Sequence, residues 1–158
     1  MVKAPPVAAY RRVMLTADMS EGGRNAVKTC AALDIARGAR ASILHVLDAP
    51  AIHLAISHAL PSDERQAYLD DQRKEASQAL SALVGSVEWR SFRQDLRQVR
   101  SPPAEDILAA AREESGDLLV VGAHGRSGLA RFFLGSVAEA VLCRADREVM
   151  AIPPAASP

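Results

Sequence analysis

The stretch Gly122-Ala-His-Gly125, followed after nine residues by Gly135-Ser136, has the residue types and spacing of a loop that holds phosphate. Gly122 and Gly125 can adopt positive φ and admit a ligand close to the backbone. Gly135-Ser136 opens a helical pattern whose free N–H groups and positive dipole end suit an anion, with the backbone of Val137 next in line. Ser136 adds a hydroxyl donor and a candidate N-cap. Arg126 and Arg131 bracket the loop as candidate partners for β- or γ-phosphate oxygens, with solvated arginines as the alternative, and Ser127 offers a further hydroxyl.

Two common phosphate loops do not fit. A P-loop requires Gly-x4-Gly-Lys-[Ser/Thr], and the lysines of this chain, Lys3, Lys28 and Lys74, are remote from these glycines. A dinucleotide fingerprint requires Gly-x-Gly-x-x-Gly after the first strand of a βαβ unit, whereas Gly122, Gly125 and Gly128 lie near the C-terminus. Other reactive side chains are scattered. His124 has no carboxylate or nucleophile near it in sequence, so no catalytic role is assigned. His53 and His58 would stand about 140° apart on a helix, unsuited to sharing a metal. His45 reads as a satisfied core residue. Cys30 and Cys143 lack the spacing of a zinc or redox motif and read as reduced, buried residues, with partial exposure the alternative for Cys143, which follows Leu142 near a helix end.

The elements that must position the loop alternate between strand and helix patterns, which predicts a largely parallel sheet covered on both faces. Strands are expected over 12–17, 41–47, 87–96, 117–121 and 148–152. The third alternates apolar and charged residues, as an edge strand does. The first helix is expected from Ser20, with Val27, Cys30, Ala31 and Ile35 inward and Gly38 as its stop. The second, over 63–83, turns Leu69, Ala76, Leu80 and Leu83 to the sheet and leaves Asp70, Asp71, Arg73, Lys74 and Glu75 as a solvated face. Ser101-Pro102 is expected to cap the third, with Ile107, Leu108 and Ala111 buried and Gly116 closing it. Val137, Ala138, Val141 and Leu142 give the last helix its apolar face. Residues 11–153 read as one domain, with flexible ends over 1–10 and 154–158.

The segment Val120-Val-Gly-Ala-His-Gly-Arg-Ser-Gly-Leu-Ala-Arg-Phe-Phe-Leu-Gly-Ser-Val-Ala-Glu-Ala-Val141 resembles the ATP-binding signature of the universal stress protein family. Asp18-Met-Ser20 after Val13-Met-Leu-Thr-Ala17, and Leu44-His-Val-Leu-Asp48, fall where members of that family have comparable residues. The resemblance spans roughly residues 11–153 and implies a Rossmann-like, doubly wound α/β fold with five strands in the order 3-2-1-4-5. Strands one and four would then meet at a topological switch point, where a crevice opens for a ligand. The resemblance further implies ATP, carried with Mg²⁺, as the bound molecule. Ala17, Asp18 and Val46 would surround the nucleoside, and Gly122, Gly125, Arg126, Gly135, Ser136 and Val137 the ribose and phosphates. The alternative role for Asp18 is N-cap of the first helix, and for Val46 ordinary packing. The chain departs from the family pattern in lacking a glycine before the third helix and in placing Arg147-Glu148 where many members have a proline.

Charge excludes some functions. Lysine plus arginine equals aspartate plus glutamate at 19 each, so no net field draws the chain to nucleic acid or to an anionic membrane. No apolar run approaches the roughly 20 residues of a membrane span, and a cytosolic protein is expected. The expected function is a regulatory stress-response protein that binds adenine nucleotide, forms a homodimer through its last strand and offers a surface to a protein partner. A slow ATP hydrolase and a nucleotide-independent interaction module are the alternatives.

Overall fold

Two short strands with apolar side chains on both faces form the centre of the sheet. In the computed structural model, which describes residues 8–47, 61–87, 92–98, 101–123 and 134–153, β1 (Arg12–Thr16) lies beside β4 (Leu118–Gly122). Val13 and Leu15 join Leu118 and Val120 in one core, while Met14 joins Leu119 and Val121 in the other. Strands of this kind need cover on both sides. It comes from α1 (Glu21–Ala32) and α2 (Ser62–Gly85) on the first face, through Val27, Cys30, Leu80 and Leu83. On the second face α3 (Pro103–Glu113) and α4 (Ser136–Arg144) supply Ile107, Leu108, Ala111, Ala138 and Val141.

With β2 (Arg40–Leu47), β3 (Phe92–Gln98) and β5 (Glu148–Ile152), the described residues form a five-stranded sheet in the order β3-β2-β1-β4-β5, every neighbouring pair parallel. This is the doubly wound α/β architecture expected, with its switch point between β1 and β4. Thr16 Oγ1 donates to the Val120 carbonyl at 3.3 Å, a side-chain stitch between strands 104 residues apart in sequence. β3 is an edge, as its alternation predicts. Its charges are tied inward: Arg93 pairs with Glu114, and Arg97 with Asp95 at 2.9 Å and Glu113 at 2.6 Å.

Several local expectations change. β3 begins at Phe92 and runs to Gln98, with Val87 in the turn after α2 and residues 88–91 outside the described set. Gly38, at φ +74°, is not the stop of α1. That helix ends in a Schellman arrangement: Asp34 takes φ +49°, its N–H reaches Ala31 O at 3.1 Å, and Ile35 N reaches Cys30 O at 3.3 Å. Ile35 therefore packs from beyond the helix. α3 closes the same way on Ser115, at φ +51°, while Gly116 N donates to Ala111 O at 3.0 Å. The N-cap of α3 is Pro102 with Pro103 at N1, so Ser101 is not the cap. Arg147 completes this corner. Its Nη1 donates to Ala111 O and to Gly116 O, both at 2.6 Å, and its Nε to Asp146 Oδ1 at 2.9 Å.

Candidate functional site

The C-terminal end of β1 is held by its neighbour. Ala17 N donates to Leu44 O at 2.9 Å, and His45 Nδ1 lies 2.6 Å from Ala17 O. His45 is thus half-buried and bonded, as expected of a satisfied residue. Asp18 follows, and its Oδ1 accepts from the Ser20 N–H at 3.3 Å and from the Ser20 hydroxyl. The Ser20 Oγ accepts in turn from Gly23 N at 3.1 Å and caps α1. The N-cap alternative for Asp18 is therefore corrected: Ser20 has the extended backbone and the reach to the first turn, and Asp18 braces it.

Gly23 is the residue that sequence reasoning missed. A Cβ there would collide with the carbonyl oxygen and carboxylate of Asp18, so the first turn of α1 approaches Asp18 as only glycine allows. The signal was available in Gly22-Gly23, a costly pair inside a helix unless close approach requires it.

The other wall starts at Gly122, the last residue of β4. Ala123 N donates to Ile152 O at 2.7 Å, and Ala123 O accepts from Gly135 N at 2.6 Å, which brings the start of α4 to the end of β4. Gly135 is the N-cap of α4, with φ −61° and ψ 146°, and its carbonyl accepts from Glu139 N at 2.8 Å. Ser136 is consequently the first helical residue and not the cap. Among the described residues no side chain caps this helix, and the N–H groups of its first turn have no intrahelical acceptor. Val137 is 38% exposed instead of joining the apolar face, which Ala138 and Val141 form with the half-buried Leu142.

Ala17, Asp18 and Val46 thus gather at the ends of β1 and β2, and Gly122, Gly135, Ser136 and Val137 at the end of β4 and the start of α4. Val46 packs partly buried against the core on the second face. Gly125 and Arg126 lie outside the described residues, as do His53, His58, His124, Ser127, Gly128, Arg131 and the segments 1–7 and 154–158. Among the described residues no group of three or more His, Cys, Asp or Glu side chains is arranged to hold a metal. Cys30 and Cys143 are both free thiols; Cys30 is fully buried, and Cys143 is exposed, the alternative that its place near a helix end left open. Burial pushes the Cys30 thiol up to about 12. The charged face of α2 lines, with Gln94, Asp95 and Leu96 of β3, an open hollow of about 510 Å³. It is separate from the strand ends just described. No helix among the described residues is long and apolar enough to cross a membrane.

The family model of the universal stress proteins matches residues 9–153. Universal stress protein MJ0577 of Methanocaldococcus jannaschii is 24% identical over 153 residues, covering 90% of this chain and 94% of that protein. The solved structure of MJ0577 superposes with a TM-score of 0.76 at 23% identity, over 95% of this chain and 100% of that one. A universal stress protein in complex with cAMP superposes at TM-score 0.59 and 23% identity, over 94% of this chain and 100% of that one. The universal stress protein of Archaeoglobus fulgidus in complex with dAMP does so at 0.57 and 22%, over 92% and 99%. At these identities the superpositions establish a shared fold.

Proposed function

The chain belongs to the universal stress protein family, and we propose that it binds an adenine nucleotide, ATP with Mg²⁺, in the crevice between the ends of β1 and β4. The observation that carries this reading is Gly122. Its φ is not positive, and a Cβ added to it would meet Gly22 O at 3.5 Å and Gly23 N at 3.7 Å, ordinary contacts that the fold tolerates. Folding therefore leaves room for a methyl group against the first turn of α1 where the sequence supplies none. One residue on, Ala123 O accepts from Gly135 N at 2.6 Å and joins this strand end to the start of α4, whose first-turn N–H groups suit phosphate.

In this reading the backbone of Ala17 and Val46 borders the adenine and Asp18 accepts from the nucleoside. Gly122, Gly125, Gly135, Ser136 and Val137 surround ribose and phosphates, with the first-turn N–H groups of Ser136 and Val137 and the Ser136 hydroxyl as donors, and Arg126 adds charge. Mg²⁺ would travel on the phosphates, since it binds readily through phosphate and water with few protein ligands. The adenine preference draws support from the relatives solved with cAMP and with dAMP. Binding is favoured over turnover because Asp18 Oδ1 is held by Ser20, with Oδ2 left to accept from the nucleoside, and His45 Nδ1 is turned to the Ala17 carbonyl, so neither is placed as a general base. Nucleotide occupancy would then change the surface offered to a protein partner, with β5, the outer strand beyond β4, as the seam of a homodimer.

Calorimetric titration of nucleotide-stripped protein with Mg-ATP tests the proposal. Saturable binding near one nucleotide per chain is expected. Absence of heat, with no competition at millimolar nucleotide, would overturn it and leave the interaction-module reading.

A further inference from the structure

The ladder between β1 and β2 ends at Thr16 opposite Leu44, and the next residue of the chain is held by other means. Ala17 N donates to Leu44 O at 2.9 Å, while Ala17 O is met by the ring of His45 at 2.6 Å. A carbonyl only accepts, so the imidazole donates from Nδ1 and its tautomer is fixed. The carbonyl of Ala17 and the N–H of Asp18 belong to one planar peptide group. The ring therefore sets the plane from which Asp18 departs. On the far side, the Asp18 carboxylate is fastened to Ser20 and backed by Gly23, which leaves it no space to retreat.

We infer that His45 is a positioning residue for Asp18: by holding the 17–18 peptide it orients the carboxylate into the crevice and so sets nucleotide affinity without touching the nucleotide. The inference rests on the nucleotide-binding reading above. On its own face of β2 His45 stands between Ile43 and Leu47, with Leu96 of β3 in register beside it, and an aliphatic side chain would suit a half-buried position there. The polar ring serves the carbonyl beside Asp18 instead.

A double-mutant cycle separates this role from simple support of the fold. Affinity for Mg-ATP is measured for the wild type, His45→Phe, Asp18→Asn and the double variant, with His45→Asn as the variant that can still donate to the carbonyl. Thermal unfolding is followed for each. His45→Phe is expected to weaken binding about tenfold, the order of one lost hydrogen bond, and to add nothing once Asp18 is Asn. His45→Asn should recover most of the affinity. Unchanged affinity in folded His45→Phe, or losses that multiply in the double variant, overturns the inference while leaving nucleotide binding intact. A wild type that binds no nucleotide overturns both. If His45→Phe does not fold, ¹⁵N spectra of histidine-labelled wild type decide: the neutral ring must be protonated at Nδ1, and a ring protonated at Nε2 overturns the inference.

Discussion

Gly122, at the end of β4, lies against Gly22 in the first turn of α1, whose carbonyl oxygen would stand 3.5 Å from a Cβ added to Gly122. The adjacent Gly23 faces Asp18 so tightly that a Cβ there would overlap its backbone and carboxylate. Two glycine positions on one crevice thus have opposite physical reasons, and substitution separates them.

Gly122→Ala should fold normally, with stability within about 1 kcal/mol of wild type, because the added methyl finds ordinary contacts. Its affinity for Mg-ATP should fall at least about tenfold, since the methyl occupies the approach to the backbone. Urea unfolding and calorimetry on the same preparation check both halves. Undiminished affinity would remove Gly122 from the site.

Gly23→Ala should destabilise the fold. Glycine to alanine in an exposed helix gains about 1 kcal/mol, but forcing a methyl against fixed backbone costs about 1–3 kcal/mol, and here the obstacle is the Asp18 carbonyl. The steric clash outweighs the gain in helix propensity. A melting temperature at or above wild type would contradict the packing of α1 on Asp18.

The two thiols should differ sharply toward a disulfide reagent. Exposed Cys143 should react promptly in the native protein and Cys30 only on unfolding, with Cys143→Ser abolishing the fast phase. The same burial links Cys30 to alkaline stability. Its thiol is raised from an ordinary value of 9.0 to about 12, so the unfolded chain releases this proton first. Its contribution is complete below pH 9 and is lost as pH climbs toward about 12. Cys30→Ala should flatten that decline in a pH series of urea melts.

Arg147→Ala should cost about 1.5–3 kcal/mol, because it removes the guanidinium donor from both Ala111 O and Gly116 O at the end of α3. Arg147→Lys should recover only part, lacking the planar fork. The hydrogen bond from Arg147 also holds the Asp146 carboxyl below its usual range. That contribution is present above the ordinary carboxylate value and fades as acid protonates the folded group, and it is small because Asp146 is exposed. Urea melts at neutral and acid pH measure both effects.

The order of the strands was legible through the family resemblance, and the inward faces of the helices through periodicity: Val27 and Cys30, Ile107, Leu108 and Ala111, and Ala138 and Val141 recur at helical spacing and are buried. Ends of elements were not. Ser136, Ser101 and Asp18 all have capping side chains, yet the caps are Gly135, Pro102 and Ser20, because a cap is defined by where the backbone leaves the helix. Likewise Asp34 and Ser115, not Gly38 and Gly116, take the left-handed positions that end α1 and α3. The glycine spacing drew attention to Gly122, Gly135 and Ser136. The other wall was half legible, since the dependence of Asp18 on Gly23 and on Ser20 is a matter of contact and not of pattern.

The Thr16–Val120 stitch also imposes an order in time. A chain emerging from the ribosome has completed Asp18, His45 and the first three strands before β4 exists, and β1 still lacks its partner across 104 residues. Any ligand gripped between β1 and β4 has nothing to grip on such a nascent chain. Its binding energy accrues only to molecules whose second half has docked, by RT ln(1 + [L]/Kd). A nucleotide in that position would discriminate finished molecules from unfinished ones.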